Sequence, residues 1–293
     1  MLKFLTKAII FLGVIVGAIT FVYLYDLYQE IKDDIDSVVN YNPKQSTQFF
    51  DKNGKLLANT FKDENREYVN YDDIPARVIE GLVAIEDTQF FEHFGVNPDA
   101  ISRAVIKNIQ SGGYSEGAST LTQQLIKVLL LSREKKIIRK VKEALLAIRL
   151  ETVLTKEEIL ERYLNHVYFG HGYYGVKTAA KGYFKKNLYE LTLKEIAILV
   201  GLPRAPSFYD PTKNLQVSLA RANQVITRMH TLGWINNEQF EESINETPTI
   251  YNQTLTQNIA PYAIDYAVSE LVNDIPDILY GGYKVYLTID LET

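Results

Sequence analysis

Ala84-Ile85-Glu86-Asp87-Thr88-Gln89-Phe90-Phe91-Glu92-His93-Phe94-Gly95 is the stretch on which the reading of this chain turns. The residues before it, Ile79-Glu80-Gly81-Leu82-Val83-Ala84-Ile85, have the spacing of a helix with one buried face. Two acids therefore stand where a largely apolar helix ends, and three phenylalanines and a histidine follow at once. Apolar surroundings destabilise a charged carboxylate and raise its pKa. That is how a side chain becomes a proton acceptor or donor near neutral pH. A solvated helix end followed by core phenylalanines has the same pattern, so this stretch nominates Glu86 without deciding between the two.

Working outward, Asp72-Asp73-Ile74-Pro75 opens that helix, with acids at its positive end and proline in its first turn. Before it, Thr47 to Ala58 reads as two short strands around an Asn53-Gly54 turn. After it, residues 111–118 (SGGYSEGA) form a glycine-rich loop without the Gly-Lys-Ser/Thr signature of a nucleotide site. Ser119 or Thr120 is placed to cap the next helix, where Thr120, Gln123 or Gln124, and Lys127 share one face. That face is either ordinary solvation or a grip for sugar or phosphate oxygens. Leu129-Leu130-Leu131 is either core or a surface that dips into a membrane.

From Arg133 to Glu143 six Lys/Arg stand against two Glu, a basic patch in a chain of net charge -5. It is either a solvated helix face or an anion site. Arg139 and Glu143 are four apart and share a face, so Glu143 is expected to stay ionised. Glu86 in an apolar setting and Glu143 in a basic one are two carboxylates suited to different catalytic roles. Ser132-Arg133-Glu134-Lys135 fits a Ser-x-x-Lys pattern, but its usual companions are missing, and we read it as chance.

Thr155-Lys156-Glu157-Glu158 and Thr192-Leu193-Lys194-Glu195 both fit a capping box and open apolar helices. A further helix over 215–232 ends at Gly233, and Trp234 to Ile244 gives a short one. Tyr283 to Asp290 alternates like a strand. The four histidines have no zinc-like spacing, and the absence of cysteine removes disulfides and thiolate chemistry. With 46% hydrophobic and 23% charged residues the composition is globular, and the acidic balance argues against a nucleic-acid partner. Ala8 to Tyr25 is an 18-residue run without a charge, preceded by Lys3 and Lys7 and followed by Asp26, Glu30, Asp33 and Asp34. It predicts an uncleaved membrane anchor with the N-terminus inside and the rest of the chain outside.

Five blocks in order resemble the peptidoglycan glycosyltransferase domain of class A penicillin-binding proteins, the family-51 glycosyltransferases. They are Glu86-Asp87-x-x-Phe90-x-x-His93-x-Gly95, Gly117-Ala118-Ser119-Thr120-x-Thr122-Gln123-Gln124-Leu125-x-Lys127, Arg139-Lys140-x-x-Glu143, Ile159-Leu160-Glu161-x-Tyr163-Leu164-Asn165 and Gly201-Leu202-Pro203-Arg204-Ala205-Pro206-Ser207. The segment from Gly282 to Asp290 resembles the start of the linker towards a transpeptidase domain. Ala118, Val128, Lys135 and Arg204 depart from the usual residues, and none of these changes removes a carboxylate.

The resemblance implies a mainly α, lysozyme-like domain with a small membrane-proximal lobe, a short N-terminal β segment and an N-terminal transmembrane helix. The expected division is anchor 1–25, stalk 26–45, glycosyltransferase domain 46–247 and, from 248 to 293, a linker towards a transpeptidase domain that the chain stops short of. It implies polymerisation of lipid II into β-1,4-linked strands on the outer face of a bacterial cytoplasmic membrane, with inversion. Glu86 would be the general base and Glu143 the second catalytic carboxylate. Asp87, Phe90, His93, Ser119, Thr120, Gln123, Gln124, Lys127, Lys135, Arg139, Lys140 and Arg204 would bind substrate, and Glu161 and Asn165 would bind it or hold the cleft together. A divalent cation, magnesium or manganese, would bridge the diphosphate with Glu143 as a candidate ligand, and no organic cofactor is implied. Partners would be lipid II, the nascent strand, membrane lipid and proteins of a wall-synthesis complex. The rival readings are a membrane-anchored muramidase or lytic transglycosylase, which needs no basic patch, and a non-catalytic wall-binding scaffold, which needs neither glutamate.

Overall fold

The computed structural model describes residues 2–40, 43–61, 64–113, 117–131, 136–252 and 258–290. Its elements in chain order are α1 (Leu2–Ile31), α2 (Asp34–Val39), β1 (Thr47–Phe50), β2 (Leu56–Thr60), β3 (Asn65–Arg66), α3 (Ala76–Glu86), α4 (Pro98–Ser111), α5 (Leu121–Leu129), α6 (Lys136–Leu150), α7 (Lys156–His166), β4 (Tyr173–Tyr174), α8 (Val176–Phe184), α9 (Leu193–Gly201), α10 (Pro206–Tyr209), α11 (Leu215–Thr231), α12 (Asn237–Asn245), α13 (Pro261–Leu271) and β5 (Lys284–Tyr286). The mainly helical expectation holds. Residues 1–41 with 91–155 form one compact unit, and 42–90 with 156–293 form a second.

In the first unit α1 is long and apolar enough to cross a membrane, with a mean hydropathy of 2.1 in an 18-residue window within Ile9–Ile31. The helix continues six residues beyond Tyr25, the expected end of the anchor, into the stretch expected to be a partly helical stalk, where it has something to pack on. Leu27 and Ile31, with Ile35 and Val38 of α2, are buried where α1 and α2 meet α6. Glu30 meets Lys142 of α6 at 3.3 Å. Helix α5 lies along α6 as well, burying Leu121, Leu125 and Ile126 on one side and Leu146, Ala147 and Leu150 on the other. Leu131 is core, while Leu129 and Leu130 are half-buried. Helix α4 starts on an Asn97 cap, with Pro98 at its first position, and ends at left-handed Gly112.

The second unit is built around α9, buried from Lys194 to Gly201 and packed between α3 and α11. Gly81 of α3 allows that closeness: a Cβ there would lie 3.3 Å from Val200. The Thr192 capping box forms as predicted. Lys194 is buried and donates to Asn223 Oδ1, Ser243 O and Ile244 O at 2.6–3.1 Å, which ties α9 to α11 and α12. Burial lowers its pKa, and Glu246 works the other way.

The predicted hairpin forms, with Gly54 at φ +82 and Asp51 Oδ1 accepting from the Asn53 and Lys55 amides. Strand β5 adds to it in parallel, giving the order β2-β1-β5. Phe49, Leu57 and Ala58 of the hairpin share one apolar cluster with Ile264, Ala267 and Ile278. Residues 258–290, within the stretch from 248 expected to be a linker, therefore complete the core of the hairpin by covering its apolar face.

Candidate active site

The first unit assembles the end of the first block, from Phe91 to Gly95, with the second and third blocks. Gly95 has φ +75, and a Cβ there would sit 2.5 Å from Ile148 N, so the end of the first block lies directly on the backbone of α6. Thr120 Oγ1 donates to Gly95 O at 2.7 Å and accepts from Gln123 N, while Gln123 Oε1 accepts from Thr120 N at 3.0 Å. Thr120 and Gln123, expected to bind substrate, are thus buried in a capping box that locks the second block onto the first. Gln124 remains half-buried on α5, Lys127 is exposed and His93 is half-buried.

Helix α6 carries the charged centre. Glu143 is fully buried; Arg139 Nε lies 3.0 Å from its Oε1 as an ion-pair contact, and Lys140 Nζ pairs with its Oε2. Lys140 also donates to Ser119 Oγ at 2.8 Å, so Ser119, Lys140, Glu143 and Arg139 form one connected group. The arrangement follows from helical spacing: positions 139, 140 and 143 are i, i+1 and i+4, and both cations reach the same carboxylate. Lys140 keeps 48% of its side chain exposed and Arg139 keeps 18%, while the carboxylate beneath holds both in place. Lys135 and the Ser132-x-x-Lys135 pattern lie outside the described residues.

A divalent cation fits this centre poorly. The Glu143 carboxylate is already neutralised by two cations, and no group of three His, Asp or Glu ligands occurs among the described residues. A hard divalent ion wants several oxygen donors, and among the described residues no second carboxylate joins Glu143 here.

The second unit holds Glu86 at the last position of α3, with 10% of its side chain exposed. Its setting is not simply apolar, as the sequence suggested. Arg221 NH2 donates to Glu86 Oε1 at 3.2 Å from α11. Arg221 NH1 donates to Gln224 Oε1 at 3.1 Å, and the guanidinium faces the Tyr209 ring at 5.6 Å. A Cβ on Gly201 would lie 2.9 Å from Arg221 Cγ, so the glycine of the fifth block makes room for the arginine stem. Burial lowers the Arg221 pKa and the Glu86 carboxylate opposes that; Arg204, exposed just after α9, adds to the lowering. The phenol of Tyr163, fully buried on α7, is pushed well up, by burial first and by Glu86 second.

Arg221 was not among the residues the sequence nominated. It had a signal: Ser218, Arg221, Ala222, Val225, Ile226 and Met229 repeat at helical spacing, so the arginine falls on the apolar face of its helix.

Other nominated residues take structural places. Asp87 is the buried C-cap of α3. Phe90 is core, with the Lys156 ammonium 4.4 Å from its ring centroid. Glu161 accepts from Tyr68 Oη at 2.5 Å and from Tyr71 N at 2.7 Å. Asn165 accepts from Val69 N at 2.8 Å and donates to Val69 O at 2.7 Å. Both therefore hold the 68–71 segment.

Comparison with known proteins agrees with the block pattern. The profile of the transglycosylase family matches residues 53–230. Penicillin-binding protein 1A of Aquifex aeolicus is 40% identical over 284 residues, covering 96% of this chain and 39% of that protein. Penicillin-binding protein 1A of Escherichia coli K12 is 38% identical over 271 residues, covering 91% and 32% respectively. A crystal structure of penicillin-binding protein 1A from Haemophilus influenzae aligns with a TM-score of 0.47 at 26% identity, over 84% of this chain and 27% of that one. The chain spans 39% or less of the length of each of these relatives.

Proposed function

The chain belongs to the transglycosylase family, and from that premise we propose that it is a peptidoglycan glycosyltransferase that polymerises lipid II into β-1,4-linked strands. The growing strand, α-linked to undecaprenyl diphosphate, is the donor, and the 4-hydroxyl of lipid II is the acceptor. Glu86 takes the acceptor proton as the new C–O bond forms, and the bond to the diphosphate breaks with inversion. The departing diphosphate is a stable anion that needs countercharge more than a proton. Arg139 and Lys140 supply it, with Lys127 and Arg204 as further cations, and Ser119 and Gln124 hydrogen-bond substrate oxygens. Glu143 fixes the two cations of its own helix; no step runs through a metal.

The observation that carries this reading is the Ser119–Lys140–Glu143–Arg139 group, two cations, one of them half exposed, on one buried carboxylate. An enzyme that only hydrolyses glycan, or a scaffold, has no use for it. Helix α1 is assigned as a single-pass anchor in the bacterial cytoplasmic membrane, with the catalytic units on its outer face, where lipid II and wall-synthesis proteins are available.

The test is incubation of the detergent-solubilised chain with labelled lipid II, followed by separation of products, beside Glu86→Gln. Polymer from the wild type alone is expected. Cleavage of preformed glycan without polymer would overturn the proposal in favour of a lytic enzyme.

A further inference from the structure

We infer that Arg221 is the positioning residue of the proposed base, holding the Glu86 carboxylate charged and aimed from the end of α3. This rests on the reading of Glu86 as that base. The guanidinium is fixed on several sides: Glu86 Oε1 at 3.2 Å, Gln224 Oε1 at 3.1 Å, the Tyr209 ring at 5.6 Å, and the gap left by Gly201 beneath the stem. Its Nε is buried and has no hydrogen-bond partner among the described residues.

Such a residue is a poor way to gain stability. Taking a guanidinium and a carboxylate out of water costs about as much as their attraction returns, and an apolar pair of similar volume would serve the core as well or better. What the pair does provide is a fixed direction and a fixed charge state for Glu86. At the apolar end of α3, beside the buried Tyr163 phenol, an unpaired carboxylate would favour its protonated form. A protonated carboxyl cannot accept the proton of the attacking hydroxyl. Charged and titratable groups facing this pair include Tyr163 from α7, Tyr209 from α10 and Arg204 from the turn after α9. Arg221 bonds Glu86 directly.

The test compares wild type, Arg221→Gln, Arg221→Lys and Glu86→Gln in the full chain with labelled lipid II, measuring kcat and KM across pH. Arg221→Gln is expected to lower kcat at pH 7 by about 10–100-fold, the scale of a misplaced catalytic group. KM should stay within about threefold, and the acid limb of the kcat profile should move up by about one pH unit or more. Arg221→Lys keeps the charge but loses the planar fork; its acid limb should stay near the wild-type position while kcat falls about tenfold or less. Wild-type kcat in Arg221→Gln, or a lowered kcat with an unmoved limb, would overturn the inference. If Arg221→Gln does not fold, Arg221→Lys decides, and an unchanged kcat there overturns it. Substantial polymerisation by Glu86→Gln would instead overturn the base assignment itself.

Discussion

Removing the charge of Arg139 while keeping its stem, as Arg139→Met, isolates the energetics of the α6 centre. Glu143 is fully buried, and breaking one side of a buried ion pair costs about 3–5 kcal/mol because an uncompensated charge remains. Two features reduce that. Arg139 keeps 18% of its side chain exposed, and Lys140 stays on the second carboxylate oxygen. A loss of about 2–3 kcal/mol is expected. At about 2–4 °C per kcal/mol for a chain of this size, that is a fall in Tm of about 5–10 °C. Lys140→Met should cost about 1 kcal/mol or less, since its ammonium is half in water and screened. The double variant Arg139→Met/Glu143→Leu removes the whole pair and should recover most of the loss. Thermal unfolding in detergent, followed by far-ultraviolet circular dichroism, measures all three. Equal shifts for the two single variants, or a double variant no more stable than Arg139→Met, would refute the picture of a buried carboxylate held mainly by Arg139.

Two further expectations concern the fold. His166 has its pKa lowered to about 4, by burial first and by the Arg66 charge second. Between pH 6.5 and 4 the unfolded chain therefore binds the proton that the folded chain refuses, so its contribution is complete above pH 6.5 and lost on acidification, about 3 kcal/mol in all. Urea midpoints should fall across that window for the wild type and less for His166→Gln. Gly95→Ala puts a Cβ 2.5 Å from the backbone of α6 at φ +75 and should cost about 3 kcal/mol or more, whereas Gly112→Ala, at φ +67 with nothing within 4 Å, should cost about 1 kcal/mol. Equal Tm shifts for these two variants would mean that Gly95 is kept only for its backbone angle.

What could be read in the sequence was what is local. The Asn53-Gly54 hairpin, the Thr192 capping box, the end of α3 at Glu86 and the pairing of positions 139, 140 and 143 depend on residues a few places apart. What could not be read was pairing at a distance. Arg221 bonds Glu86 across 135 residues, and β5 joins β1 from the far end of the chain. Periodicity announces that Arg221 faces the core, but not which acid awaits it. Thr120 and Gln123 show a second limit: a polar residue at a helix start also serves the helix, and the capping box occupies Thr120 Oγ1 and Gln123 Oε1.

The docking of α1 onto α6 makes the helix, in its proposed role as anchor, a gauge as well as a tether. The helix runs unbroken from the apolar span through Glu30 to Ile31, where Leu27, Ile31 and the Glu30–Lys142 contact fasten it to the helix bearing Arg139 and Lys140. Each residue of α1 thus fixes both a height of about 1.5 Å and a turn of about 100° for that charged helix relative to the span. One residue added after Tyr25 would swing the buried stripe off α6 with hardly any lift. Four would bring the stripe nearly back into phase about 6 Å higher. Phase and altitude can therefore be varied separately in one short stretch of chain.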